Sequence, residues 1–448
     1  MPKNMKSKQC FRANVMVHAL GAALLLHGAS AAAIGLVEAY DAALKNDPAY
    51  RAAFFANESG KENKILGRSN LLPNVSANVS TGKNRTDITA GSNTSHPAYT
   101  SKSAVLSLRQ GIINFDAIAR YKQGIAQTDY SAAQYAGQSQ EVALRVVGAY
   151  VEVLFKNDQL ALARVERDMY LEQRKVNDRM FQKGEGTRTD MLETQARLDL
   201  AETQLLEAVD SETTARDTLA GIIGGPVLTL DALTPEFQIQ PMAVMSYEAW
   251  KTIALERNPG VAAQTYGVEI AHQEVNKARA GHAPRLDFVA SYSKSTSDSI
   301  NTINQDYTVR SLGLQLNIPI YSGGQVNAAS RQAVANQEKA KADLQTQVDK
   351  TLLDLRREYN QVISGVARID ALVKTVDSSR LLATATEQSI KGGVRINLDL
   401  LNAQRQLFAS QRDLAQARYG YLLGTLRLQA AAGTLTSDDV RQLGSYFR

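Results

Sequence analysis

Charged and small polar residues recur in two equivalent turns of this chain, and they offer its clearest chemistry. The turn from Gly184 to Asp190 returns 209 residues later as Gly393 to Asp399. Charges at helix ends can pair and then separate when helices move, and a ring of carboxylates favours cations at a constriction. An acid near a helix start also caps the helix or stabilises its dipole. Asp190 and Asp399 therefore suit a gate, a selectivity ring or helix stabilisation.

Other reactive residue types lack the spacing that catalysis or metal binding requires. The histidines beyond residue 33 are His96, His272 and His282, and none has a partner at zinc-ligand spacing. Gly184-x-Gly186 lacks the third glycine and the preceding strand of a phosphate loop, and no serine nucleophile elbow occurs. We therefore expect no enzyme, no metal and no cofactor.

The first 33 residues have the pattern of a secretory signal peptide. Basic residues precede an apolar stretch from Val15 to Leu26, and small residues follow at 29–33. Without this leader the formal net charge falls from +5 to about +1, so the composition does not indicate nucleic-acid binding. The single cysteine, Cys10, lies inside the leader, which agrees with an oxidising compartment.

The remaining chain contains one supersecondary unit twice. Asn46-Asp47-Pro48 corresponds to Arg257-Asn258-Pro259, and Pro73 to Pro284, with an offset of 211 residues. A near-constant offset over half a chain indicates duplication, so both halves should share one architecture. The expected domains are a signal peptide (1–33), a first repeat (34–220), a linker or equatorial segment (221–246), a second repeat (247–430) and a C-terminal equatorial tail (431–448).

Each repeat is predicted to contain an opening helix, a β-hairpin, a long helix and a closing helix. Pro73 and Pro284 precede alternating apolar and polar residues, the pattern of strands, and Pro319 follows the last strand. The long helices are expected at 117–183 and 325–391. Leu352, Leu355, Tyr359, Val362, Val366, Ile369, Val373 and Val376 form a coiled-coil seam in the second. The opening and closing helices together match the long helix in length, so they could stack end to end along it.

Strand counting constrains how such a chain could cross a membrane. No run of 18 apolar residues follows the leader, which leaves only a closed barrel. Four strands per chain cannot close one, because about eight are the minimum. Two chains would give eight strands and three would give twelve.

The duplicated Asn-Asp-Pro and Asn-Pro motifs, the Pro73 and Pro284 junctions, the run Leu316 to Gly324 and the paired Gly-x5-Asp turns occur in the order and spacing of one family. The chain resembles the TolC-like outer-membrane factors. This resemblance implies a mainly α fold with a small β part, in which antiparallel coiled coils form an α-helical barrel. Two hairpins per chain would join a shared twelve-stranded barrel of a homotrimer in the outer-membrane lipid, extending into the periplasm. The implied partners are a periplasmic adaptor protein and an inner-membrane transporter.

The resemblance also assigns roles at the periplasmic tip. Thr189 and Asp190 match the family's gating pair, Arg395 its gating arginine and Asp399 its inner acidic ring. Two positions depart from the pattern, because Ile390 replaces a gate tyrosine and Asn402 replaces a second ring acid. The tip turns would be made by Gly184, Gly186, Gly392 and Gly393.

The segment Glu185 to Asp199 looks most like the branch that serves type I secretion with an ABC transporter. The alternatives are the outer-membrane component of a small-molecule or drug efflux pump, and a structural periplasmic coiled coil or adhesin. Two repeated hairpin–helix units disfavour an adhesin, which needs one stalk and one barrel segment.

Overall fold

The computed structural model describes residues 34–234, 245–297, 304–392 and 394–448. The predicted signal peptide, part of the predicted linker and the tip residue Gly393 lie outside the described residues. In the described ranges, no helix is long and apolar enough to cross a membrane.

Both halves contain the predicted order of elements, numbered here along the chain. The long helices are α3 (Phe115–Gln182) and α7 (Gln325–Lys391), close to the predicted ranges. The first half also contains α1 (Leu36–Asn46), α2 (Pro48–Ser69), β1 (Asn74–Arg85), β2 (Ile88–Ala90), β3 (Asn93–Ser95), β4 (Ala98–Ile113) and α4 (Arg188–Ile223). The second contains α5 (Tyr247–Arg257), α6 (Pro259–Arg279), β5 (Arg285–Thr296), β6 (Asp306–Asn317) and α8 (Asn397–Ala431), and α9 (Ser437–Gly444) follows.

A proline divides the opening helix of each half into two. Pro48 and Pro259 are the first residues of α2 and α6, where a missing N–H costs nothing. The residue before each proline caps the helix: Asp47 Oδ1 accepts from the Tyr50 N–H at 2.8 Å, and Asn258 Oδ1 accepts from the Gly260 N–H at 2.9 Å. The Asp-Pro and Asn-Pro motifs are therefore helix breaks with a cap.

The short helices meet end to end beside the long ones, as their lengths predicted. Asn46 Nδ2 donates to the carbonyl of Ile223, the last residue of α4, at 2.7 Å. Asn258 Nδ2 donates to the carbonyl of Ala431, the last residue of α8, at 3.0 Å. In each half, therefore, an opening and a closing helix are joined by one side-chain hydrogen bond.

Only half of the predicted α7 seam is fully buried. Leu355, Val362, Ile369 and Val376, seven residues apart, are at most 6% exposed. The intervening seam positions are partly exposed, and Val366 reaches 37%. Leu355, Val362 and Ile369 share an apolar cluster with Trp250 of α5 and Tyr421 of α8, so these two helices cover one stripe of α7.

Asp158 on α3 makes a polar contact between the two halves. Its Oδ2 accepts a hydrogen bond from the Tyr419 hydroxyl at 2.9 Å. Tyr419 lies on α8, so this bond links the long helix of the first half to the closing helix of the second.

The four long strands form one antiparallel sheet in the order β1-β4-β5-β6. The two predicted hairpins are thus adjacent, joined by pairing of β4 with β5 over Lys102–Ile113 and Leu286–Thr296. Each outer strand, β1 and β6, keeps one edge that no described strand pairs with. Large apolar side chains such as Val79 (81% exposed) and Leu312 (78%) lie on this sheet without cover.

A buried carboxylate joins the two hairpins at the helical end of the sheet. Asp287 on β5 is 1% exposed. It receives Nε–H bonds from Arg109 on β4 and from Arg285, both at 2.9 Å. The pairing of β4 with β5 is therefore reinforced by an ion pair between the two repeats.

The proline junctions lie where the sequence placed them. Pro73 and Pro284 immediately precede β1 and β5, and Pro319 is two residues beyond the end of β6. The segment Gly82 to Pro97 joins the two long strands of the first hairpin. It extends β1 and adds the small β2–β3 hairpin, in which Thr89 and Thr94 are hydrogen-bonded partners.

Both ends of the described chain gather around one buried tyrosine. Tyr150 on α3 is fully buried, and its hydroxyl donates to the carbonyls of Ile34 (3.0 Å) and Asp231 (2.9 Å). Leu233 forms an isolated antiparallel β-bridge with Phe447, and the Phe447 ring contacts the Tyr150 ring edge-on. The described part of the linker and the C-terminal tail therefore pack together at mid-height on α3.

Candidate functional site at the helix tips

The two tip turns share one backbone bond despite their different sequences. The Glu185 N–H donates to the Met180 carbonyl at 2.9 Å, and the Val394 N–H donates to Ser389 at 3.0 Å, 209 residues on. Gly184 has φ +78°, the left-handed conformation that favours glycine, whereas Gly392 has an ordinary helical φ. Gly186 has no room for a side chain without displacing Met180, because a Cβ would lie 3.2 Å from the Met180 Cβ.

Asp190 is held by a capping box at the start of α4. Its Oδ2 accepts from the Thr187 N–H (3.1 Å) and hydroxyl (2.6 Å), and its own N–H donates to Thr187 Oγ1 at 3.1 Å. The helix-stabilising role open to this acid is thus realised within one chain. Thr189 is exposed beside it.

The second tip keeps its charged groups available. Arg395 is exposed and makes neither an ion pair nor a side-chain hydrogen bond with any described residue of its own chain. Asp399 is the third residue of α8; its N–H bonds to the Ile396 carbonyl and its half-buried carboxylate stays free among the described residues. Asn402 Oδ1 accepts a long hydrogen bond of 3.5 Å from Arg197 Nη2. Ile390 is half-buried.

A closed ring of four side chains, here called the tip ring, connects the two tips. Its members are Gln173 and Asn177 on α3, Thr194 on α4 and Asn397, the first residue of α8. Gln173 Nε2 donates to Asn177 Oδ1 (3.2 Å) and to Asn397 Oδ1 (2.8 Å). Both asparagine amides donate to Thr194 Oγ1, at 2.8 and 3.2 Å. Sequence reasoning missed this ring, because nothing in these residue types signals that they meet.

The tip ring places the predicted gate residues side by side. Asn397 lies two residues from Arg395 and two from Asp399, while Thr194 lies one turn after Asp190. Asn177 Nδ2 also approaches the Asp190 carbonyl at 3.4 Å. The two predicted tips therefore form one cluster, although Asp190 and Arg395 do not bond within the chain.

A charged cleft of about 500 Å³ lies above the tip, between α3, α4 and α8. Its lining includes Glu166, Tyr170, Arg197, Arg405 and Arg412. Burial raises the pKa of Glu166, and the three arginines partly offset this effect. Burial also raises the pKa of the Tyr170 hydroxyl to about 12. These groups were not identified from the sequence, where they are ordinary charged or aromatic residues on helices.

The described residues contain no group of three or more histidine, cysteine or acidic side chains that could hold a metal ion. The tip residues offer hydrogen bonds and charges between helices, and such contacts can form and break as helices move.

Comparison with known proteins identifies the family. Its model, described as outer membrane efflux protein, matches residues 39–225 and 250–434. The alkaline protease secretion protein AprF of Pseudomonas aeruginosa is 41% identical over 97% of this chain and 91% of its own length. The proteases secretion protein PrtF of Dickeya chrysanthemi is 34% identical over 95% and 94%.

The solved structure of the Campylobacter jejuni CmeC outer membrane channel has the same fold. The TM-score is 0.79 at 17% identity, with 92% of this chain and 90% of that chain covered. The predicted resemblance to TolC-like factors is confirmed, and the chain belongs to the outer membrane efflux protein family.

Proposed function

We propose that three copies of this chain form an outer-membrane duct for type I protein secretion, with an extracellular protease as the cargo class. The observation that carries this proposal is the similarity, over nearly the whole chain, to two proteins named for protease secretion. The chain is an outer-membrane protein that extends into the periplasm, and it is a transport protein rather than an enzyme.

The open sheet edges support assembly of several chains. In the part of the chain that the structure describes, strands β1 and β6 each lack one partner, and apolar side chains on the sheet are uncovered. Pairing β6 of one copy with β1 of the next would satisfy both edges. Three copies would then supply the twelve strands that the resemblance implies, above the minimum of about eight for a closed barrel.

The tip supplies a gate in this proposal. Arg395 has a free guanidinium and Asp399 a free carboxylate among the described residues, so both can meet groups of a neighbouring copy. Arg395 would pair with Asp190 of the next copy in the closed state, and three Asp399 residues would form a single acidic ring. Asn402 and Ile390 contribute no charge, which makes Arg395 the principal intersubunit contact. A periplasmic adaptor and an inner-membrane ABC transporter would open the tip on engagement.

Planar-bilayer recording of the purified protein tests the channel itself. We expect single-channel steps of low conductance from the closed wild type, and cation preference from the Asp399 ring. A preparation that inserts as a folded oligomer but conducts no current would overturn the duct.

The cargo is tested by deleting the gene and comparing the secreted proteome with drug susceptibility. Loss of a secreted protease with unchanged drug tolerance supports type I secretion. Increased drug sensitivity with a normal secretome would instead support small-molecule efflux, the second candidate, which the family description favours. The adhesin alternative is excluded by membership of this channel family.

A further inference from the structure

We propose that the tip ring is an intramolecular latch, which holds the start of α8 against α3 and α4 while the tip is closed. This inference rests on the proposed function, because a latch requires a tip that opens. It assigns a role to Gln173, Asn177, Thr194 and Asn397, none of which was singled out by the sequence.

The ring is complete only while α8 stays in place. Thr194 is 0% exposed and Asn177 is 5% exposed, so their polar groups depend on one another for hydrogen bonds. Moving α8 away breaks two of the four bonds, those from Gln173 to Asn397 and from Asn397 to Thr194. The other two bonds join residues of the first repeat and remain intact, so the ring opens at Asn397.

One helical turn beyond the ring, the contact between α3, α4 and α8 is apolar. Leu198 and Leu401, each four residues beyond a ring member, form an apolar cluster with Tyr170 and Ala201 and are at most 2% exposed. Water can replace the hydrogen bonds of separated ring members, whereas exposing the apolar cluster carries a full hydrophobic cost. The helices should therefore part at the ring first and pivot about the apolar cluster.

The latch is coupled to the gate by sequence proximity. Asn397 lies between Arg395 and Asp399, so displacement of the first turn of α8 carries both charges with it. Thr194 and the Asp190 carbonyl stay with Asn177 on the first repeat.

The test replaces the shared acceptor of the ring. Thr194→Val keeps the shape of the side chain but removes the hydroxyl to which both asparagines donate. Thr194→Ser retains it. Thr203→Val is the matched control, because the Thr203 hydroxyl bonds only to the Asp199 carbonyl of its own helix. Conductance of each purified variant is recorded in planar bilayers, and thermal unfolding is measured in parallel.

We expect Thr194→Val to raise the open probability on the order of a hundredfold, the effect of losing about one net hydrogen bond in each of three chains that open together. Thr194→Ser and Thr203→Val should behave as wild type. If Thr194→Val lowers the melting temperature but leaves gating unchanged, or reduces opening, the latch is overturned and the ring only stabilises the fold. Should Thr194→Val fail to fold, Asn397→Ala at the half-buried first position of α8 decides in the same way.

The wild-type recording separates the two proposals. An absent wild-type pore contradicts the duct itself. A wild-type pore whose gating is the same in all ring variants contradicts the latch alone.

Discussion

Asn46 donates a hydrogen bond from Nδ2 to the carbonyl of Ile223, 177 residues further along the chain, at 2.7 Å. The second repeat makes the same bond from Asn258 to Ala431. The donors are not equivalent positions, since Asn46 precedes the capping residue Asp47 whereas Asn258 is itself the cap. The joint between opening and closing helices thus persists in both repeats although its donor has shifted by one residue.

Gly224, immediately after α4, is required by this joint. It has φ +74°, and a Cβ there would lie 2.7 Å from the Cβ of Asn46. Gly224→Ala should therefore destabilise the protein by about 1–2 kcal/mol from the left-handed backbone alone, with the clash adding to it. Gly221→Ala is the control: it lies within α4 with open space around it, and should stabilise by about 1 kcal/mol. Equal melting temperatures for the two variants, measured by circular dichroism in detergent, would contradict this account.

Asp47 combines a helix cap with an ion pair, and the two roles can be separated. One oxygen caps α2 through the Tyr50 N–H, and the other lies 2.6 Å from Arg145 Nη2. Asp47→Asn should keep the cap, as Asn258 does at the equivalent site, and lose the ion pair at a cost of about 1–3 kcal/mol. Asp47→Ala should cost about 1 kcal/mol more because the cap is lost too. Denaturant unfolding of both variants checks the difference, and an Asn variant as unstable as the Ala variant would show that the cap contributes nothing.

The long helices and the hairpins were predictable because their signals are local. Absence of proline over 67 residues, and strict alternation after Pro73 and Pro284, determine an element without knowledge of its neighbours. The end-to-end joint was also predictable, since the opening and closing helices together match the long helix in length. What failed depends on neighbours: Val366 fits the seam by spacing yet is 37% exposed, outside the stripe of α7 that α5 and α8 cover.

The tip was predictable only in part, for the same reason. Asp190, Arg395 and Asp399 could be identified by the repeat and the resemblance. The contact of Gln173 with Asn397 spans 224 residues and depends on how α8 packs on α3. No local pattern distinguishes these two amides from other polar residues on helices.

Glu166, which lines the charged cleft, should make the free energy of unfolding of the protein depend on pH. Burial raises its pKa above the usual 4.5. A carboxyl whose pKa is raised in the folded state costs stability when ionised, so this cost disappears as the pH falls through the raised value towards 4.5. Glu166→Gln should be more stable than wild type at pH 7, and the advantage should shrink on acidification. Melting temperatures between pH 7 and pH 5 check this, because an advantage that is constant with pH would rule out the titration.

The control for this prediction is a carboxylate with the opposite shift. A hydrogen bond from Lys175 lowers the pKa of the exposed Glu172. Glu172→Gln should therefore bring no gain in stability at pH 7. A gain as large as that of Glu166→Gln would mean that removal of any negative charge stabilises this region.

Arg395 should control the closed state because it lies exposed on the second tip turn with no partner among the described residues. Its guanidinium has no partner among the described residues of its own chain, so pairing across a subunit boundary is the contact that its charge can make. Exposed ion pairs contribute about 0.2–1 kcal/mol each. Three symmetric pairs breaking together would shift the open population by between about threefold and a hundredfold. Arg395→Ala should raise conductance of the closed channel accordingly, and high salt should narrow the difference from wild type. Arg188→Ala removes an equally exposed arginine from the other tip turn and should leave the conductance unchanged. If both variants open the channel alike, loss of positive charge at the tip is sufficient, and Arg395 makes no specific bond in the gate.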